Sequence, residues 1–327
     1  MSIADLALRL AGARGLGHKR DIAGVMTALG LGGQSAIAVG DDCAAIPDGD
    51  GYLLFAIEGF LADFVEAEPW FAGYCGVMVN VSDIAAMGGR PIAVVDALWS
   101  RDGARAAPIL SGLAAGSAAY GVPIVGGHSN TRNPGGEQLS VAILGRARSL
   151  LTSFDAQGGD RLLMAIDLRG RYRDPHPYWD CSSTGLPPRL RAEIEILPAL
   201  AEAGLVHAAK DISMAGAVGT ALMLLECSGL GATIDVSRIP RPEGVALERW
   251  LISFPSFGYV LAVSPDHVDE VTARFAAAGI ACADVGGCDA GGLVRLADGK
   301  DSAPLWNFAR QPLIGCGPVT NGDREHA

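Results

Sequence analysis

Residues 69–89, PWFAGYCGVMVNVSDIAAMGG, restrict the fold of this chain more than any other segment. Pro69 suits the first turn of a helix, apolar residues recur at helical spacing, and Gly88-Gly89 stops it, which predicts a helix over Pro69–Met87. Asn80 and Asp83 fall three apart, on one face otherwise lined by apolar and small residues. An aspartate in the second half of a helix opposes the helix dipole by roughly a few tenths of a kcal/mol. Asp83 therefore needs a compensating partner, and a cation is the simplest one.

Around this helix the punctuation predicts an α+β N-terminal domain. Residues 3–10 read as a short helix and Gly12–Asp21 as a flexible basic loop. Strands are expected at Ala36–Val39, Tyr52–Ile57, Pro91–Leu98, Pro123–Val125 and Leu139–Leu144, with a helix at Ala104–Tyr120 closed by Gly121. Polar turn residues over Leu150–Asp160 mark a boundary. Beyond it, strands at Arg161–Ile166, His207–Asp211, Ala232–Val236, Gly258–Val263 and Gly292–Leu296 alternate with helices at Pro188–Ala203 and Ala215–Cys227, an α/β C-terminal domain. The expected division is 1–150, 151–315 and a frayed polar tail, 316–327.

Composition narrows the partners. Half of the 327 residues are hydrophobic and 19% are charged, which suits a folded chain rather than a disordered one. The formal net charge of −11 argues against nucleic acid, whose affinity comes largely from Lys and Arg. No apolar run reaches the roughly 18–20 residues that span a bilayer. Met1–Leu10 lacks the basic and apolar regions of a signal peptide. Seven cysteines without a C-x-x-C pair read as free thiols. A cytoplasmic protein is expected.

Four constellations carry chemistry. Asp41-Asp42 follow Gly40 at a turn, and an EF-hand over Asp48–Gly59 fails because Tyr52 and Gly59 stand where oxygen ligands are needed. Asn80 and Asp83 are the second. Val125-Gly126-Gly127-His128-Ser129 is a strand running into a bare glycine pair, where backbone N–H groups could approach a phosphate. His128 lacks a second His at metal spacing, which excludes a zinc site. Finally, Asp211 ends a strand, and Ser213 is the expected N-cap of a Gly-bearing helix whose N-terminus could seat phosphate. So many carboxylates would repel a triphosphate by roughly 1–4 kcal/mol per charge pair at about 4 Å. Mg²⁺, which takes carboxylates and substrate phosphates together, resolves that conflict.

The order GDD…IEG…NVSDIAAMGGRP…GGHS…DISMAG resembles the superfamily of AIR synthase, thiamine-monophosphate kinase, selenophosphate synthetase and the hydrogenase-maturation dehydratase, over roughly Asp41 to Val294. The resemblance implies a PurM-like two-domain architecture, a homodimer formed through the N-terminal domain, and ATP held with Mg²⁺ between the domains. By position it implies that Asp41, Asp42, Glu58, Asp83 and Asp211 are metal or phosphate ligands, with Asp83 and Asp211 at the catalytic centre. It further implies that Asn80, Gly127, His128, Ser129 and Ser213 bind the nucleotide.

Departures narrow the activity. Ile57-Glu58 stands where relatives carry Thr-Asp, so one ligand is longer and a hydroxyl is lost. No Cys precedes Cys43, against selenophosphate synthesis, and the chain ends Arg-Glu-His-Ala without the modifiable Cys of the hydrogenase-maturation relatives. Met214 and Ala215 replace the Asp or Gly frequent in relatives, which weakens a thiamine-phosphate kinase assignment. Two readings remain: an enzyme transferring the γ-phosphate of ATP to a small acceptor, or a non-catalytic nucleotide-binding protein. The acceptor is expected beneath the irregular stretch Arg169–Pro188, near Cys181, where Tyr172, Tyr178 and Trp179 offer stacking and the arginines an anion grip. The apolar strands of the N-terminal domain are expected to meet a second copy.

Overall fold

The computed structural model describes residues 1–31 and 37–317. Three helices open the chain: α1 (Ile3–Ala11), α2 (Arg14–Lys19) and α3 (Asp21–Leu29). A capping box starts α1, with Ser2 and Asp5 each bonding the other's backbone N–H. The expected loop at Gly12–Asp21 is therefore largely helical; α2 tucks Leu16 against the helix over Gly216–Ser228, and this tertiary packing overrides its two glycines.

The N-terminal sheet collects β1 (Ala44–Asp48), β2 (Gly51–Gly59), β3 (Gly89–Trp99), β4 (Ile124–Asn130) and β5 (Gln138–Ala147) in the order β1-β2-β5-β3-β4. Helices α4 (Ala62–Ala67), α5 (Pro69–Ala86) and α6 (Gly103–Tyr120) complete this half. β1 and β2 form a tight hairpin through Gly49, whose φ of 59° suits glycine. The first strand is thus Ala44–Asp48 and not Ala36–Val39; residues 37–39 are irregular, and Ala36 lies outside the described residues. Pro47 masks β1 in the sequence and is tolerated because β1 is an edge.

α5 and α6 approach closely at Gly73 and Gly112, where a Cβ would collide with the backbone at Ile109 and Trp70 of the facing helix. Their bundle covers one sheet face and packs against the second half of the chain, where Tyr74 and Tyr120 both meet Ser182 and where the stripe of α5 near Asp83 also turns. The opposite sheet face is apolar and left uncovered by the described residues: Phe55, Ile57, Val95 and Val125 are 49%, 66%, 40% and 65% exposed.

The second half builds on β6 (Arg161–Ile166), followed by β7 (Arg171–Tyr172), β8 (Tyr178–Asp180), α7 (Pro187–Ile194), α8 (Ile196–Glu202), β9 (Ala208–Asp211), α9 (Gly216–Ser228) and β10 (Gly231–Asp235). After them come α10 (Leu247–Leu251), β11 (Phe254–Pro255), β12 (Gly258–Val263), α11 (Val268–Ala277), β13 (Ala281–Asp289), β14 (Leu293–Ala297) and β15 (Ser302–Asn307). Seven strands form one sheet, β15-β14-β10-β13-β6-β12-β9, and β11-β8-β7 form a small second one. α9 is buried on all sides from Gly216 to Cys227. The helix expected over Pro188–Ala203 breaks at Glu195 into α7 and α8.

Arg90 ties the halves together through Glu195 and Glu202, and Arg191 donates to the free carbonyls of Ala118 and Ala119 at the end of α6. Among the described residues no helix is long and apolar enough to cross a membrane. Residues 318–327 of the expected tail lie outside the described residues.

Candidate functional site

A cleft of about 230 Å³ opens between α5 and β2 on one side and β9, α9 and β11 on the other. One stripe of α5 lines its length: Phe71, Cys75, Met78, Val79 and Asp83. At a rise of about 1.5 Å per residue, this stripe carries the cleft roughly 18 Å from an apolar end at Phe71 to a charged end at Asp83.

The charged end gathers carboxylates from four elements. Asp83 comes from α5, Asp211 from the end of β9, Asp42 from the segment entering β1, and Glu58 from the end of β2, on the same sheet face as Leu54 and Ala56. Asp42, Asp83 and Asp211 each offer an oxygen within 4.8 Å of the others. Asp83 and Asp211 are 5% and 3% exposed. Burial drives both well above the ordinary carboxylate value; Asp211 and Glu58 push Asp83 further, and Asp42 does the same to Asp211. Burial also raises Asp42 and Glu58, against the pull of Lys210 on the first and Lys19 on the second.

Asp83 Oδ2 is buried without a hydrogen-bond partner among the described residues. A helix that buries a carboxylate oxygen with nothing to accept from is energetically incomplete, and a hard cation would complete it. The donor set, all carboxylate oxygen, suits Mg²⁺ or a similar ion.

The other candidate residues divide. Asp41 lines the cleft, yet its oxygens accept from Ser153 N–H and Oγ at 2.5 and 2.7 Å and from Lys210 at 3.4 Å, so it locks the chain entering β1 to the start of the second half. Asn80 is fully buried beneath α5; its Nδ2 donates to Gly76 O and Val141 O at 2.8 and 3.0 Å, pinning the helix to β5 rather than facing the cleft. Ser213 lines the cleft with an unpartnered Oγ, but the N-cap of α9 is Ala215, so the expected capping role falls away.

Gly127, His128 and Ser129 form no turn. They continue β4 as an exposed edge strand and do not line the cleft of their own chain. Gly127 is needed because a Cβ there would run into the carboxylate and carbonyl oxygens of Asp96.

Sequence reasoning missed the two lysines. Lys19, at the end of α2, lines the cleft, as does Lys210 of β9, whose side chain is 7% exposed and ion-paired with Asp42 and Asp41. Burial alone would lower the Lys210 pKa, but the two aspartates more than offset this and hold it well above the usual lysine value.

In the stretch Arg169–Pro188 the arginines expected to grip an anion are taken up within the chain. Arg169 pairs with Asp167 and Glu193, Arg189 with Asp167, and Arg173 with Asp180, so these arginines brace the loop. Cys181, expected near the acceptor, is 2% exposed with its thiol pushed up by burial, and it does not line the cleft. Tyr178 alone of the three aromatics lines the cleft, edge-on to Phe64 at 5.1 Å and to Phe254 at 6.2 Å.

Two layered α/β halves with an acidic cleft between them define the class. Residues 40–147 match the model for the AIR synthase related protein N-terminal domain, and residues 178–298 match that for its C-terminal domain. The chain belongs to the AIR synthase related family. It is 47% identical over 319 residues to the uncharacterized protein sll0787 of Synechocystis, covering 96% of this chain and 98% of that one. It is 28% identical over 295 residues to the phosphoribosylformylglycinamidine synthase subunit PurL of Methanopyrus kandleri, spanning 81% of this chain but 40% of that subunit. Among solved structures, Thermotoga maritima PurL complexed with ATP superposes with a TM-score of 0.70 at 22% identity, over 85% of this chain and 47% of that one. AaThiL complexed with AMPPCP and TMP superposes with a TM-score of 0.64 at 18% identity, over 86% and 94%. The two structural likenesses establish the shared PurM-like fold.

Proposed function

We propose that this protein is a Mg-ATP-dependent phosphoryl-transfer enzyme acting on a small metabolite. The observation that carries the reading is the convergence of half-buried Asp42 with buried Asp83 and Asp211, within 4.8 Å of one another, with one Asp83 oxygen unpartnered among the described residues. Asp42, Asp83 and Asp211 would hold Mg²⁺, with Glu58 beside them. A bound Mg²⁺ supplies charge neutralisation between carboxylates and phosphate oxygens. The chain's own part is positional: Lys19 and Lys210 add positive charge at the same end, and the cleft walls between the two halves orient the transferring group.

PurL in complex with ATP, ADP and AMPPCP, and AaThiL in complex with AMPPCP and TMP, support nucleotide binding by a chain of this fold. The acceptor takes the apolar end of the cleft, against Phe64, Phe71, Val79, Tyr178 and Phe254. The working unit is a homodimer joined through the uncovered face of the N-terminal sheet, in the cytoplasm, a setting that suits seven free cysteines.

The deciding experiment measures ADP release with Mg²⁺ across a panel of small metabolites. Acceptor-stimulated release supports the enzyme. Tight Mg-ATP binding with no release across the panel favours a nucleotide-binding regulator instead, a reading that the Glu58 and Met214 departures keep open.

A further inference from the structure

The acidic end of the cleft contains more charge than one divalent ion can balance. Asp41, Asp42, Glu58, Asp83 and Asp211 line it, and within the chain only Lys19 and Lys210 oppose them among the cleft-lining residues. The two lysines are placed differently. Lys19 sits on a short helix at the rim, whereas Lys210 is built into β9, a strand whose four residues are all buried.

Three features fix the Lys210 ammonium. Its strand pairs with β12, with Lys210 opposite Val260, so its backbone cannot shift without breaking the sheet. It bridges two carboxylates, donating to Asp42 Oδ1 and, at 3.4 Å, to Asp41 Oδ1. Asp41 is itself anchored, since both its oxygens accept from Ser153. Successive strand residues face opposite ways, so Asp211 turns from Lys210 toward Asp83 while its backbone stays beside Asp42. Asp42 is therefore the hinge of the arrangement: one oxygen is taken by an ammonium, and the carboxylate also belongs to the cluster of Asp83 and Asp211.

A carboxylate pair bridged by a cation is what a second divalent ion would otherwise provide. We propose that Lys210 is a resident cation that fills one carboxylate-bridging position of this cleft, so that a single divalent ion, held by Asp42, Asp83 and Asp211, completes the site. This rests on the metal reading of the cluster given above. The ammonium gives a fixed charge that needs no metal supply, and it leaves Asp42 shared between a protein-borne cation and an exchangeable one.

The test counts ions without any turnover. Mn²⁺ is titrated into the nucleotide-free protein, and free Mn²⁺ is read from its electron paramagnetic resonance signal. Wild type should bind one ion per chain, Lys210→Arg one, and Lys210→Gln two, with the melting temperature of Lys210→Gln still rising at Mn²⁺ concentrations that already saturate wild type. Two ions in wild type, or the same count in wild type and Lys210→Gln, overturns the role of Lys210 while leaving the metal reading intact. No bound ion in wild type overturns the metal reading itself. If Lys210→Gln folds only with Mn²⁺ present, it is purified in Mn²⁺ and its retained ions are counted after gel filtration, with the same two outcomes deciding. If it does not fold at all, the wild-type count decides: one ion supports the proposal and two overturn it.

Discussion

Asp83 and Asp211 reach the same point from different halves of the chain, one from the last third of α5 and the other from the end of β9, and among the described residues neither ion-pairs with a basic side chain. Two buried carboxylates so placed repel one another and are costly to keep ionised. Replacing Asp83 with Asn removes one charge at nearly constant shape. In EDTA the Asp83→Asn protein should be at least as stable as wild type, by up to about 1 kcal/mol from relieved repulsion. Its affinity for Mg²⁺ should fall by more than the roughly 10–100-fold lost when an outer-shell partner of a metal site is removed. Differential scanning calorimetry with and without Mg²⁺ checks both. A large loss of stability in EDTA would make Asp83 a structural residue.

The same carboxylates set a pH dependence. Burial and mutual repulsion raise Asp83 and Asp211 above their ordinary value of 3.8. A carboxyl with a raised folded-state value holds its proton more tightly folded than unfolded. Metal-free protein should therefore lose stability as pH climbs from the ordinary carboxylate range through the raised values. Metal binding requires the ionised forms, so the melting-temperature gain from Mg²⁺ should be small near pH 5 and grow toward pH 8. An Mg²⁺ gain that is flat across this range would contradict it.

Asp41 and Asp42 are adjacent but should respond differently. Asp41 accepts from Ser153 N–H and Oγ, so Asp41→Ala strands buried donors and should cost about 1–3 kcal/mol per unsatisfied group even without metal. Asp42→Ala leaves the buried Lys210 ammonium with Asp41 alone, so it should cost metal affinity as well as stability. Chemical denaturation in EDTA, beside Mg²⁺ titration of each variant, separates a lock from a ligand.

Association through the N-terminal sheet is tested at Phe55 and Ile57, which stand on its uncovered face. Charged substitutions there leave the buried core untouched, so Phe55→Glu and Ile57→Glu should fold yet sediment as monomers at micromolar concentration. Wild type should sediment as a dimer; a monomeric wild type would leave that face without its proposed partner.

Much of this arrangement was legible where local signals and tertiary demands agree. The helix now seen at Pro69–Ala86 carries its own start and stop, and the strands at Arg161–Ile166 and Gly258–Val263 are apolar runs with no competing pattern. The strand Ala44–Asp48 was hidden by Pro47, which only an edge position allows. Spacing groups Asn80 with Asp83, yet about 60° of helix rotation separates a residue facing β5 from one facing the cleft. The glycine pair at 126–127 reads as a turn, but Gly127 makes room for Asp96 in an extended edge. Lys210 left one faint trace, a lysine following two alanines in a short strand; its partners Asp41 and Asp42 lie far away in sequence, and no local pattern can pair them.

Tyr178 and Trp179 are neighbours that the fold assigns to different tasks, and this separates acceptor recognition from folding. Tyr178 lines the cleft between Phe64 and Phe254. Trp179 is 6% exposed, packs edge-on against Trp250 at 5.4 Å, and donates its ring N–H to Asp167 O at 3.1 Å. Trp179→Ala should therefore destabilise the second half by about 3–5 kcal/mol. Tyr178→Ala should cost less stability, because that ring is only partly enclosed. Its effect should appear in the reaction, as an acceptor-stimulated ADP release reduced at least ten-fold, on the order of 1.4 kcal/mol of lost interaction, while Mg-ATP affinity holds. The pair is compared by thermal unfolding and by ADP release against any acceptor found in the metabolite panel. Equal loss of stability in both variants, with release unchanged in Tyr178→Ala, would move the acceptor away from the aromatic end of the cleft.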